Sequence, residues 1–292
     1  MTIEVGIGLA FVAMLCWGFG DFLIQRSARK LGDWETLFVI TFFGVIVLLP
    51  FVYKNIGSLF VGSNTNLLIL VSSALVLLCA ALLNFEGFKR GKISVLEPLM
   101  SFEIPAAALL AFFFLGDNIS WMQIFVIIIL IINLFLVSFR GRFLSKNFLL
   151  EKGVIIFLFG AILMGSADFL LGWGSRVTDP LLANFVLNVI MASVSFIFIV
   201  FRGGISKLVS DIKKNPAQVL AMSITDNVAW IAYSFAMVLV PIAIATGLSE
   251  SSIIIAVLLG LFVNKEKLQR HQKIGLVGAI ASAIVLAFIT TA

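Results

Sequence analysis

The sequence predicts an all-α membrane protein with ten transmembrane helices, arranged as two inverted five-helix repeats. Three observations carry this. The 292 residues are 61% hydrophobic and only 12% charged, with a mean hydropathy of +1.17, whereas a soluble domain has roughly a quarter of its residues charged. Apolar stretches of about 20 residues recur from end to end, the length that crosses a ~30 Å hydrocarbon core. Finally, the two halves match when one is slid against the other by 147 residues.

In chain order the spans read 3–25, 35–53, 67–88, 93–115, 119–139, 153–175, 180–201, 217–239, 241–263 and 272–290. Backbone in lipid must satisfy its own hydrogen bonds, so each is a helix. Segments such as Phe125–Leu136 lack the alternation of a β-barrel. No signal peptide is expected, because span 1 has no basic region before it and carries Asp21 in place of a small-residue cleavage site. Cys16 and Cys79 lie inside apolar runs without disulfide or metal spacing, and read as packing residues. Pro98 and Pro105 in span 4, and Pro241 at the start of span 9, bend or end helices beside a cavity. Pro241 reads equally as a first helical residue.

The loops test the count. Those after spans 1, 3, 5, 7 and 9 hold 18 of the 20 basic residues, leaving only Lys54 and Arg176 in the others. The positive-inside rule puts the basic loops in the cytoplasm and both termini outside. The net charge of +5 is therefore a topology signal, and no nucleic-acid partner is expected. Short loops and the lack of a targeting segment favour a prokaryotic plasma membrane.

The repeat rests on particular residues. Gly6, Gly18, Asp21, Phe22, Leu23 and Arg29 fall on Gly153, Gly165, Asp168, Phe169, Leu170 and Arg176. Phe88 falls on Phe235, and Glu103 on Glu250. Asp117, Ile119 and Gln123 match Glu266, Leu268 and Gln272 with a two-residue shift. The repeats are assigned to residues 1–146 and 147–292. Each has five spans, an odd number, so the second enters the membrane from the opposite side. Inverted repeats are a hallmark of secondary transporters, which place their site near the midplane between the halves; some channels share the device.

The motifs Trp17-Gly18-Phe19-Gly20-Asp21-Phe22 and Leu115-Gly116-Asp117-Asn118-Ile119-Ser120 with Gln123, and Asn264-Lys265-Glu266-Lys267-Leu268 before Gln272, resemble the drug/metabolite transporter superfamily in its EamA-type, ten-helix branch. The family usually has Gly-Glu where this chain has Gly116-Asp117, and Gly where it has Lys265. The resemblance spans the whole chain. It implies a basket of ten helices around a central cavity, moving amino acids, sugars, nucleotide sugars or drugs.

Acids inside the membrane are the informative residues, since a carboxylate at helix centre costs about 2.5–3.5 kcal/mol to insert and faces a cavity or a partner. Glu103 in span 4 and Glu250 in span 9 are repeat equivalents, suited to binding substrate or a coupling proton, or to fixing helix packing. Asp21 and Asp168 form a second pair, each with Gly three residues earlier on the same helical face. A snorkelling or salt-bridged role is open for them, with Arg26 and Arg29 near Asp21. Glu86, close to Lys89, and Glu97, before Pro98, read as interfacial. In span 8, Asp226, Trp230 and Tyr233 share one face. They suit an ammonium or other cationic group by charge and cation–π attraction, or an aromatic packing stripe. Their counterparts in span 3 are Cys79, Leu83 and Glu86, so span 8 is expected to do more of the recognition.

The single His271 falls in a basic loop, and no Gly-x-x-x-x-Gly-Lys-Ser/Thr loop occurs. No enzyme activity, metal or cofactor is therefore expected. The sequence reads as a secondary transporter of a small polar metabolite such as an amino acid, driven by the substrate gradient or by protons, with membrane lipid around it, as a monomer or loose homodimer. A multidrug or organic-cation exporter of the same fold, a channel, and an enzyme acting on lipid-linked substrates are the alternatives.

Overall fold

The computed structural model describes residues 2–61, 63–90, 96–138, 153–262 and 268–291. The expected repeat junction at 146/147, Glu266, and the basic residues Lys92, Arg140, Arg142, Lys146, Lys152, Lys265 and Lys267 lie outside the described residues. The side chains of Asp21, Arg26, Arg29, Lys89, Glu97 and Pro98 also lie outside the description.

The described residues form helices and no strand. The main helices are α1 (Ile3–Leu31), α2 (Asp33–Val52), α3 (Asn64–Arg90), α4 (Glu103–Leu115), α5 (Trp121–Ser138), α6 (Val154–Val177), α7 (Pro180–Phe201), α8 (Pro216–Leu239), the tandem α9 (Ile242–Ser249) and α10 (Ser252–Phe262), and α11 (Arg270–Thr291). Short helices Ser58–Val61 and Ile205–Lys214 lie in connections. Nine segments among the described residues are long and apolar enough to cross a membrane, and Leu99–Leu115 is a shorter apolar one. Large apolar side chains such as Phe51, Phe60, Phe113 and Phe288 point outward, while Ser73, Asn184, Asn188 and Asn227 are buried and hydrogen-bonded. That is a bilayer's arrangement, because lipid solvates the apolar rim and these polar groups find partners inside.

Spans 4 and 9 differ from the continuous helices expected. Span 4 starts as a 3-10 stretch, Glu97–Phe102, and becomes α-helical at Glu103. Pro105 explains the switch: with no N–H it cannot bond the Ser101 carbonyl. Span 9 is interrupted at Glu250 and Ser251, between α9 and α10. There the Ser251 and Ile254 N–H groups bond carbonyls three residues back, at 3.2 and 2.9 Å, and the Ser251 hydroxyl donates to the Gly247 carbonyl at 2.9 Å. No proline makes this break; hydroxyls take over backbone groups that the helix ladder releases. Pro241 is the residue before α9, its N-cap, one position earlier than the first-helical-residue reading.

Helix neighbours obey a two-fold relation between the halves. α3 packs on α6 as α8 packs on α1, and α4 packs on α6 as α9 and α10 pack on α1. α2 pairs with α7 and α5 with α11, each across the same axis. Gln123 and Gln272 show the relation in atoms. The Gln123 side-chain carbonyl accepts from Ser120 N at 2.8 Å, and that of Gln272 from Gln269 N at 3.0 Å. The Gln123 amide then donates to Thr290 Oγ1 in α11, and the Gln272 amide to the Val137 carbonyl in α5, both at 3.2 Å. The matched glycines have the same logic: a Cβ at Gly18 would collide with Ile255 of α10, and one at Gly165 with the Glu103 carbonyl of α4.

Candidate substrate-binding site

Tyr233 is the hub. It sits on α8, fully buried, and its hydroxyl lies 2.6 Å from Thr246 Oγ1 of α9. Thr246 donates back to the Ile242 carbonyl at 2.8 Å, so the Tyr233 O–H is the donor when that bond is made. The carboxyl group of Asp168, on α6, faces the Tyr233 side chain. Glu250 and Glu103 also act on the Tyr233 hydroxyl through their charge. Glu103 and Asp168 are both 2% exposed, and Glu250 is partly buried. Asp168 Oδ2 has no hydrogen-bond partner among the described residues.

Four helical elements thus bring Glu103, Asp168, Glu250 and Tyr233 together. Both glutamates stand at helix interruptions, where freed backbone groups and an acid share one neighbourhood. Among the described residues, no three His, Cys, Asp or Glu side chains converge as metal ligands would.

Trp230 lies beside Tyr233, ring centroids 6.1 Å apart. Trp17 of α1 completes a trio, 5.1 Å from Trp230 at 82° and 5.1 Å from Tyr233 at 66°. Trp17 belongs to the motif in span 1 but was not among the expected site residues; nor was Thr246. Asp226 is partly buried on α8, and it is absent from the acids acting on Tyr233. Seven residues of helix separate the two, about 10 Å at 1.5 Å per residue. Asp21 has no described side chain to place.

A second constellation closes one end of the bundle. Arg176, at the end of α6, holds Asp117 by two parallel bonds of 2.5 and 2.9 Å. It also donates to the Met237 and Val240 carbonyls at the end of α8, at 2.8 and 3.2 Å. Asp117 Oδ2 accepts from Ile242 N, at the start of α9, at 2.9 Å. One ion pair therefore ties together α6, α8, α9 and the α4–α5 turn. Planar guanidinium suits this multiple bonding, whereas a lysine offers only a point charge. Met237 is one turn beyond Tyr233 on α8, so the latch stands directly over the hub. At the opposite end, Lys30 bonds Asn215 and Gln218 at 3.3 and 3.4 Å, and Gln218 bonds Ser27 at 2.8 Å.

Two halves of membrane-length helices related by a two-fold define an α-helical multi-pass fold. The model of the EamA-like transporter family matches residues 4–139 and 151–288: the chain belongs to that family, and carries its module twice. It is 26% identical, over 231 residues, to a protein of Rickettsia bellii (strain RML369-C) named S-adenosylmethionine uptake transporter, covering 70% of this chain and 73% of the relative. A solved crystal structure 14% identical in sequence aligns with a TM-score of 0.75 over 98% of this chain and 97% of its own; at that identity the likeness concerns the fold alone.

Proposed function

We propose that this chain is a secondary carrier that moves a small polar metabolite across the plasma membrane by alternating access, without chemical conversion of its cargo. The observation that carries this reading is the position of Glu103 and Glu250. These repeat-equivalent acids stand at the two interrupted spans, both within electrostatic reach of Tyr233. Interrupted helices at the repeat interface are where secondary carriers hold substrate and coupling ions. Glu103, Glu250 and Asp168 bind substrate or a coupling proton, and Tyr233 and Trp230 bind the cargo. Asp226 lines the route from the hub toward the Lys-rich end, and Asp21, the repeat mate of Asp168, takes the corresponding place on α1. The basic loops face the cytoplasm and both termini lie outside, so Arg176 and Asp117 form the outer closure. The chain acts as a monomer or loose homodimer.

The name of the Rickettsia relative supports an amino-acid-like metabolite and makes S-adenosylmethionine the first cargo to try. The test is uptake by purified protein in proteoliposomes, with labelled S-adenosylmethionine beside panels of amino acids, sugars and nucleosides. Saturable uptake that accelerates when unlabelled cargo is trapped inside is the expected result. Flux that is linear in concentration and indifferent to internal cargo is the channel's signature.

A further inference from the structure

We infer that the short helix Ile205–Lys214 lies in the membrane interface and, with the end of α7, holds an anionic phospholipid. The acyl chain runs along Phe201, Ile205 and Val209, and the phosphate meets Lys213 and Lys214. The site is independent of what the chain carries.

The helix divides into rows, because residues four apart stack on one side. Leu208 with Ile212, Ile205 with Val209 and Lys213, and Lys207 with Asp211 form three such rows. Leu208 and Ile212 pack inward, against Leu31, Val39, Ile199 and Met222 from α1, α2, α7 and α8. Ile205 and Val209 are left 42% and 44% exposed, and Phe201, at the end of α7, is 87% exposed. One row thus anchors the helix to the bundle. The next carries two exposed apolar residues and ends in Lys213, itself exposed. Such an edge suits the boundary between acyl chains and headgroups, where aliphatic groups sit in hydrocarbon and the ammonium reaches the phosphate.

Neighbouring groups put this helix at headgroup depth. Arg202, the C-cap of α7, holds its guanidinium 4.4 Å over the Phe198 ring, and Phe198 stacks on Trp34 at 4.1 Å. Tryptophan beside a basic residue is the composition of a membrane–water interface. Charge then selects the lipid. Residues 202–214 hold Arg202, Lys207, Lys213 and Lys214 against the one acid Asp211. Asp211 stands in the row of Lys207, off the exposed apolar edge. Glu35 of α2 lies at the opposite end of the helix, where an added Cβ at Gly204 would stand 3.7 Å from its Oε1. The apolar edge therefore leads to a positive end. A net-neutral phosphatidylcholine matches the edge alone, whereas an anionic headgroup matches both edge and charge.

The test is lipid titration of the purified full chain in detergent, with retained lipids counted by native mass spectrometry. Phosphatidylglycerol is compared with phosphatidylcholine of the same acyl chains. Phosphatidylglycerol is expected to bind about tenfold more tightly, with the preference shrinking as salt is raised to about 1 M. Lys213→Gln with Lys214→Gln should abolish most of the preference, and Val209→Asn should weaken both lipids. Lys207→Gln, on the row away from the lipid, should keep wild-type binding, and Lys213→Arg should keep the preference, which guards against a folding defect in the other variants. Equal binding of the two lipids, a preference that survives the double lysine variant, or no change in Val209→Asn would overturn the inference. A dimer cross-linked through Val209→Cys, with no lipid retained, would give this face to a second copy and overturn it as well.

Discussion

Glu250 is placed where a side chain can change partners without unravelling a helix, since the backbone around it is already interrupted. Replacing it with Gln preserves size and most hydrogen bonding while removing the charge. Glu250→Gln should therefore insert and fold normally, judged by membrane yield and gel filtration, yet lose gradient-driven uptake. Trp230 separates recognition from packing in the same way. Trp230→Ala should weaken cargo binding by about 1 kcal/mol or more, while Leu83→Ala, its repeat counterpart in α3, should affect mainly thermal stability; equal affinity losses would return Trp230 to a packing role. The acids of this candidate site stand out in the sequence because a carboxylate in an apolar run is rare and expensive. Trp17 was not legible as a site residue: nothing in its own span indicates that it meets Trp230 and Tyr233 more than 200 positions away. Thr246 was hidden for the same reason, as one hydroxyl in a run of small residues. Asp226 shares one helical face with Trp230 and Tyr233, about 10 Å along the helix from Tyr233.

Spans 4 and 9 show where sequence reading of elements stops. Their lengths and apolar character gave their positions, and Pro105 pointed to irregularity in span 4. The break after Ser249 has no such mark, because hydroxyl-to-carbonyl bonds sustain it and these depend on local geometry. The Arg176–Asp117 latch was visible only in pieces. Arg176 stood out as one of two basic residues in the charge-poor loops, and Asp117 as part of a motif, but their bond spans 59 positions. Its construction yields a prediction. Asp117→Asn should lower stability by about 1.5–3 kcal/mol, the range for hydrogen bonds to charged groups, read as a lower melting temperature in detergent. Exchanging the two residues, Asp117→Arg with Arg176→Asp, should not restore it. An aspartate at 176 cannot donate to the Met237 and Val240 carbonyls. Full recovery in the exchanged protein would reduce the latch to a simple ion pair.

The whole molecule is two copies of one five-helix unit, and the sequence disclosed this through Gln123 and Gln272, Gly18 and Gly165, and Glu103 and Glu250. In the folded chain these pairs occupy matching places: each glutamine binds the far end of the opposite helix, each glycine admits the opposite interrupted span, and each glutamate begins or interrupts one. On the proposed orientation the basic loops face the cytoplasm. With Cys16 and Cys79 replaced, a cysteine at Ser206 in the short helix Ile205–Lys214 should react with impermeant maleimide only from the cytoplasmic side, and one at Ser63 only from outside. Reaction of both from one side would overturn the ten-span orientation. Transport itself is decided by counterflow in proteoliposomes, run side by side on the unaltered chain, Glu250→Gln and Asp168→Asn. A carrier with its site at this hub should give saturable exchange in the first and strongly reduced exchange in both variants, with all three equally folded. Unchanged exchange in both variants, or flux that ignores cargo on the far side, would contradict it.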